Sequence, residues 1–138
     1  KKQEILTDSS IAKSDYPSNR SILVVEDNQT NLDMIKYLLS IHKHKVHVAR
    51  NGKEAIAQAD LKKPDLILMD IRMPIMDGFE ATKILRTKQV FSKTPIIALT
   101  ASAGEGSRED SLGAGCTDHI SKPIQSIELF ETLSRYIK

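Results

Sequence analysis

The stretch Leu66-Ile67-Leu68-Met69-Asp70-Ile71-Arg72-Met73-Pro74-Ile75-Met76-Asp77-Gly78 decides how this chain folds. Four apolar residues run together and end in one carboxylate, Asp70. The run is too short for an ordinary globular helix, and Pro64-Asp65 ahead of it breaks the chain. It reads as a strand buried on both faces of a parallel sheet. Asp70 then stands at the carboxyl end of that strand, the edge outside which open α/β sheets bind ligands. An Asp at a strand end also serves as a turn former or helix cap, so Asp70 by itself leaves both readings open.

Ser21-Ile22-Leu23-Val24-Val25 is a second run of the same kind, and it ends in Glu26-Asp27-Asn28. Leu32, Ile35, Leu38 and Leu39 then recur at helical spacing, with Asn28 as a candidate cap. Lys45 to Ala49 alternates and predicts strand two. Asn51-Gly52 reads as a turn, and Ala55, Ile56 and Ala59 mark a short helix. After the Asp70 strand, a helix is expected from about Gly78 to Thr87 with Ala81, Ile84 and Leu85 inward. Pro95 to Thr100 predicts strand four, and Cys116 to Ser121 predicts strand five, ended by Lys122-Pro123. Ile124, Ile127, Phe130, Leu133 and Ile137 give the last helix an apolar stripe. Between strands four and five, Gly104 to Ser111 carries two glycines and four charges but no large apolar residue. Propensity and burial both support a helix there weakly, and the segment is expected to be mobile.

The pattern is five alternating strand–helix units. It predicts a flavodoxin-like, doubly wound α/β fold with a five-stranded parallel sheet in the order 2-1-3-4-5. In that order strands one and three are neighbours at the topological switch point, so Glu26, Asp27 and Asp70 converge in one crevice. The domain is expected over residues 20–138. Residues 1–19 are polar, with Ile5, Leu6 and Ile11 as the only aliphatics larger than alanine, and read as a linker or flexible tail.

At 138 residues and 40% hydrophobic, the chain can build one real core. A formal charge of +2 is too small to argue for nucleic acid or a membrane surface. The single Cys116 excludes an internal disulfide and any thiolate metal cluster. No signal peptide or membrane-spanning run is evident, so a cytoplasmic location is expected, free or tethered to a membrane-bound kinase. The chain starts at Lys1 rather than Met, which suits a piece of a longer protein.

Three carboxylates packed together raise one another's pKa unless a cation neutralises them. Oxygen-only ligation suits a hard cation, and Mg²⁺ takes one or two carboxylates together with water and phosphate oxygens. A merely solvated acidic rim is the other reading of the acids alone. Thr100 and Lys122, at the ends of strands four and five, add a hydroxyl and an ammonium to the same rim. Phosphoryl transfer asks a protein mainly for positioning and for charge on the equatorial oxygens. Mg²⁺, Lys122 and Thr100 would supply three such contacts, with Asp70 as nucleophile.

The sequence resembles the receiver domain of two-component signalling, most closely that at the C-terminus of hybrid sensor histidine kinases. The matching text is Ile22 to Asn28, Pro64 to Asp70 with Met73-Pro74 and Asp77-Gly78, Pro95 to Ala101, and Ile120 to Ile124. By that resemblance Asp70 accepts a phosphoryl group from a histidine kinase or a histidine phosphotransfer domain. Glu26, Asp27, Asp70 and the backbone carbonyl of Arg72 form the Mg²⁺ site, with Mn²⁺ as a substitute. Thr100, Ala101 and Lys122 bind the phosphoryl group, and the bond before Pro123 is cis. The face formed by strand four, helix four, strand five and helix five carries the signal onward. The family implies a domain that assists its own phosphorylation and dephosphorylation, acts as a monomer, and touches neither nucleic acid nor membrane directly.

Two departures stand out. The switch position three residues before Lys122, usually Tyr or Phe, is His119. It reads either as an imidazole that rotates inward, with a charge that changes near neutral pH, or as a half-exposed side chain with no switching role. Glu26 replaces the commoner Asp and is expected to reach the metal through water. Arg72 and Ser102 are expected to tune loss of the phosphoryl group, Ser102 being too short to place a hydrolytic water well. A haloacid dehalogenase-type phosphatase would want an acid where Arg72 stands. An FMN carrier would not place Glu26-Asp27 in a phosphate loop. A degenerate receiver that acts as a phosphorylation-independent interaction module is the remaining alternative.

Overall fold

The computed structural model describes residues 16–101 and 108–137. The tail residues Ile5, Leu6 and Ile11, Ser102, and the start of the polar segment at Gly104 lie outside them. Five strands alternate with five helices: β1 Ser21–Val25, α1 Gln29–Ile41, β2 Lys45–Ala49, α2 Gly52–Lys62, β3 Leu66–Asp70, α3 Gly78–Arg86, β4 Ile96–Thr100, α4 Arg108–Ala114, β5 Asp118–Ser121 and α5 Ser126–Tyr136. A single 3₁₀ turn, Gln89–Phe91, follows α3. All strand pairings are parallel and the sheet order is β2-β1-β3-β4-β5.

The contiguous apolar runs become strands because both faces of the sheet are covered. Ile22, Val24, Leu66, Leu68, Ile97 and Leu99 pack one way, against Leu32, Ile35 and Leu39 of α1 and Leu129, Phe130 and Leu133 of α5. Leu23, Val25, Ile67, Met69, Ile96 and Ala98 pack the other way, against Ala55 and Ala59 of α2 and Ala81 and Leu85 of α3. Every residue of β3 and β4 is buried. The edge strand β2 keeps only Ala49 fully inside.

Side-chain caps set where helices begin. Asn28 Oδ1 accepts the Asn31 N–H at 2.9 Å, so α1 starts directly after the Glu26-Asp27 pair. Asp77 and Glu80 form a reciprocal capping box at α3. Asn51, read from sequence as a turn with Gly52, instead caps α2: its side chain accepts the Glu54 N–H at 2.9 Å and Gly52 is the first helical residue.

Other expectations shift for physical reasons. Ile84 is exposed, because α3 turns Gly78, Ala81, Thr82 and Leu85 inward and leaves Ile84 at the edge of that stripe. Ile127 is likewise exposed, while Thr132 is buried with its hydroxyl donating to the Glu128 carbonyl at 2.8 Å. Ile124 and Ile137 are buried, but they flank α5 rather than belonging to it. Strand five begins at Asp118: the Cys116 N–H returns to the Ser111 carbonyl of α4, and the Thr117 N–H bonds the Ile96 carbonyl. Strand four begins after Pro95, whose carbonyl accepts the Ile67 N–H at 2.9 Å. Tyr16, in the stretch read as linker, packs on the core with its ring 5.7 Å from that of Phe130 and 5.5 Å from that of His42.

Candidate phosphoryl-acceptor site

The carboxyl edge of the sheet gathers the polar residues. Asp70 ends β3 and is only 3% exposed. Glu26 follows β1 and is fully buried, held by its N–H on the Ala49 carbonyl and by the Asn28 N–H donating to Oε2 at 3.2 Å. Asp27 beside it faces solvent. Carboxylate oxygens of Glu26, Asp27 and Asp70 all lie within 4.8 Å of one another. This oxygen-only donor set, one side of it open to water, fits a hard divalent cation.

Lys122 lies just past β5, its N–H bonded to the Thr100 carbonyl at 2.7 Å. Its ammonium reaches Glu26 Oε1 at 3.1 Å and Asp70 Oδ2 at 3.3 Å. The Arg72 N–H donates to Asp70 Oδ1 at 3.2 Å. Burial and the Glu26 carboxylate push Asp70 up to about 6, while Lys122 and the Arg72 N–H pull it back. The pocket thus holds a carboxylate that carries its charge reluctantly even with the Lys122 ammonium beside it.

Thr100 ends β4 and is buried, its hydroxyl pointing toward the Ile120 carbonyl at 3.5 Å. Ala101 follows it and is exposed. The Lys122–Pro123 bond is cis. His119 sits opposite Ala98 in the β4–β5 register, two residues before the Thr100–Ser121 pair, so it shares a sheet face with Thr100. Its side chain is 27% exposed, with Nδ1 3.9 Å from Asp118 Oδ1. Asp118 also accepts from Tyr136 at 2.7 Å and pairs with Arg135 at 3.4 Å. Arg72 is exposed at the rim.

Glu26, Asp27, Asp70, Thr100 and Lys122 therefore share one edge, and Ala101 and Arg72 border it. The model of the response regulator receiver domain family matches residues 22–134. The chain belongs to that family. It is 43% identical over 118 residues to hybrid signal transduction histidine kinase G of Dictyostelium discoideum, covering 83% of this chain and 3% of that protein. This receiver domain thus spans a small part of that relative. Among solved structures it is similar to the receiver domain of sensor histidine kinase PA1611 from Pseudomonas aeruginosa PAO1, a crystal structure with a magnesium ion coordinated in its active-site cleft. That match has 39% identity, a TM-score of 0.80, and 86% and 98% of the two chains covered. It is also similar to the co-crystal structure of the Saccharomyces cerevisiae histidine phosphotransfer protein Ypd1 with the receiver domain of its downstream response regulator Ssk1. There identity is 29%, the TM-score 0.79, and coverage 88% and 90%.

Sequence reasoning missed two receiver-domain contacts. Gly52 donates its N–H to the Met76 carbonyl at 3.0 Å, tying the start of α2 to the loop after Asp70. Gly78 lies so close to the Asp70 backbone that a Cβ there would stand 2.3 Å from the Asp70 carbonyl oxygen. For the second of these Asp77-Gly78 carried a signal, since a glycine after a capping Asp permits close approach as well as a helix start. Among the described residues, no helix is long and apolar enough to cross a membrane.

Proposed function

We propose that this receiver domain accepts a phosphoryl group on Asp70 from the phosphohistidine of a histidine kinase or a histidine phosphotransfer protein. An Asp70 oxygen attacks phosphorus; the O–P bond forms as the N–P bond breaks, and the departing imidazole keeps the electron pair. The observation that carries the reading is the buried Asp70 carboxylate, clustered with Glu26 and Asp27 and touched by Lys122. Glu26, Asp27, Asp70 and the Arg72 carbonyl would hold Mg²⁺, or Mn²⁺ in its place. When bound, the cation supplies charge to offset the acids and the incoming phosphoryl oxygens.

Each remaining residue takes a part that its position supports. Lys122 leaves Glu26 to meet the phosphoryl group, keeping a positive charge beside Asp70. The Thr100 hydroxyl turns from the Ile120 carbonyl toward a phosphoryl oxygen, and Ala101 leaves room for the donor. His119, on the same face as Thr100, follows that movement and alters the surface of β4, α4, β5 and α5. Arg72 and Ser102 set how long the phosphoryl group lasts.

Intact mass after incubation with acetyl phosphate and Mg²⁺ tests the reading. One added phosphoryl group is expected, absent with EDTA and absent in Asp70→Asn. If neither acetyl phosphate nor phosphorylated histidine proteins leave an adduct, the domain is a binding module instead.

A further inference from the structure

The loop between β3 and α3 carries an unusual backbone. Ile75 has φ of +75°, and the Met76 N–H donates to the Pro74 carbonyl at 2.8 Å. Pro74-Ile75-Met76 is therefore a γ-turn of the rare positive-φ kind. A β-branched residue is poorly suited to this region, where Cβ crowds the backbone. Such strain persists only where the surroundings over-determine it, and it clusters at functional sites.

The surroundings here do over-determine it. On one side the Met76 carbonyl is held by the Gly52 N–H, and a Cβ on Gly52 would stand 2.6 Å from that oxygen. On the other, the Gly78 N–H bonds the Ile71 carbonyl at 3.2 Å, and Gly78 abuts the Asp70 carbonyl. The Asp77 capping box then fixes the helix that follows. The loop leaves Asp70, is pinned at Met76, and returns to Asp70.

The result is an apolar side chain held out in water. Ile75 is 75% exposed, the most exposed large apolar side chain among the described residues. Among the described residues Ile75 joins neither apolar core, and glycine or asparagine would adopt the turn more easily. Asp70 itself is recessed. A protein that brings a phosphohistidine to Asp70 must press its surface against the rim, and this loop is part of that rim.

We propose that Ile75 is a docking residue for the protein phosphodonor. It enters an apolar socket beside the donor's phosphohistidine, and the strained turn presents it already oriented, with little ordering left to do on binding. This rests on the reading of Asp70 as phosphoacceptor. It adds to that reading which side chain tells a protein donor from a small one.

The experiment compares the parent protein with Ile75→Gly, Ile75→Asn and Ile75→Leu, using two donors. One is acetyl phosphate. The other is whichever of a panel of phosphorylated histidine phosphotransfer proteins, Ypd1 among them, transfers fastest to the parent. Urea midpoints no lower than the parent's establish that the fold is intact, since glycine and asparagine relieve the strain of the turn. The expected result is a loss of about tenfold or more in kcat/KM from the protein donor for Ile75→Gly and Ile75→Asn, the scale set by losing one buried aliphatic side chain at an interface. Ile75→Leu retains most of the rate, and all variants match the parent with acetyl phosphate. Parental rates from the protein donor in the Gly and Asn variants would overturn the proposal. So would an equal loss with both donors, which would make Ile75 a structural residue of the site. A parent that reacts with acetyl phosphate but with no member of the panel overturns it too, and leaves Asp70 as acceptor. A parent that reacts with neither refutes the acceptor reading itself.

Discussion

Asp70→Asn should make the metal-free protein more stable at neutral pH, although Asp70 is the centre of the site. Burial and the Glu26 carboxylate raise Asp70 from an ordinary 3.8 to about 6. The folded state therefore binds the Asp70 proton more tightly than the unfolded state does. Stability from this group is full when the carboxyl is protonated, falls as pH rises from about 4 to about 6, and stays reduced above that. At pH 7.5 the cost is on the order of 2–3 kcal/mol. An uncharged amide of the same size removes it. The variant should unfold at a midpoint higher by roughly 5–10 °C in EDTA. The gap should narrow markedly at pH 4.5, where the parent's Asp70 is already protonated. Thermal and urea unfolding at the two pH values, with and without Mg²⁺, measure this. Added Mg²⁺ should stabilise the parent, by about 2.7 kcal/mol at a hundred times its dissociation constant, and the variant less. An Asp70→Asn protein no more stable than the parent at pH 7.5, or a gap that does not shrink in acid, would refute the argument that Asp70 carries an electrostatic cost.

Burial, and next the neighbouring His42, hold His44 below its ordinary 6.5, and its Nδ1 accepts the Arg20 N–H. Neutral His44 thus stabilises the fold above pH 6.5, and that contribution is lost as pH falls through 6.5 and below; His44→Gln should flatten the urea midpoint between pH 7.5 and 5.5. Removing the α3 cap with Asp77→Ala should cost about 1 kcal/mol in urea unfolding, and a change near zero would mean that the loop, not the cap, starts the helix. Arg72→Ala should shorten the life of the aspartyl phosphate, because the side chain at the rim screens the approach of water; an unchanged half-life in a dephosphorylation time course would count against it.

Strands buried on both faces were legible because Ile22 to Val25, Leu66 to Met69 and Ile96 to Leu99 leave no polar residue for a solvent face. The acids were legible for a related reason: a carboxylate that ends such a run falls on the sheet's carboxyl edge. Helix faces were less so. Ile84 and Ile127 lie one step from the buried stripe, and only the packing of α3 and α5 decides that Thr82 and Thr132 go inside in their place. The Asn51 cap and the late start of β5 turn on single hydrogen bonds that several residue types could have made. The link from Lys122 to Glu26, the tie from Gly52 to Met76 and the positive φ of Ile75 arise from segments far apart in sequence. No local pattern encodes them.

Tyr16 against Phe130 has a consequence for how the chain can be cut and joined. Tyr16 packs beside Phe130 of α5, and Ile137, just past that helix, lies about 10 Å along it from Phe130. In a chain trimmed to residues 16–137, a linker of roughly five residues from Ile137 to Tyr16 would bridge that gap. New termini could then open at exposed Ser92 and Lys93, after the 3₁₀ turn. The permuted chain would keep every strand pairing, and the acceptor pocket would be assembled from halves synthesised in the opposite order. In this architecture spatial order and chain order are separable, and the pocket depends on the first.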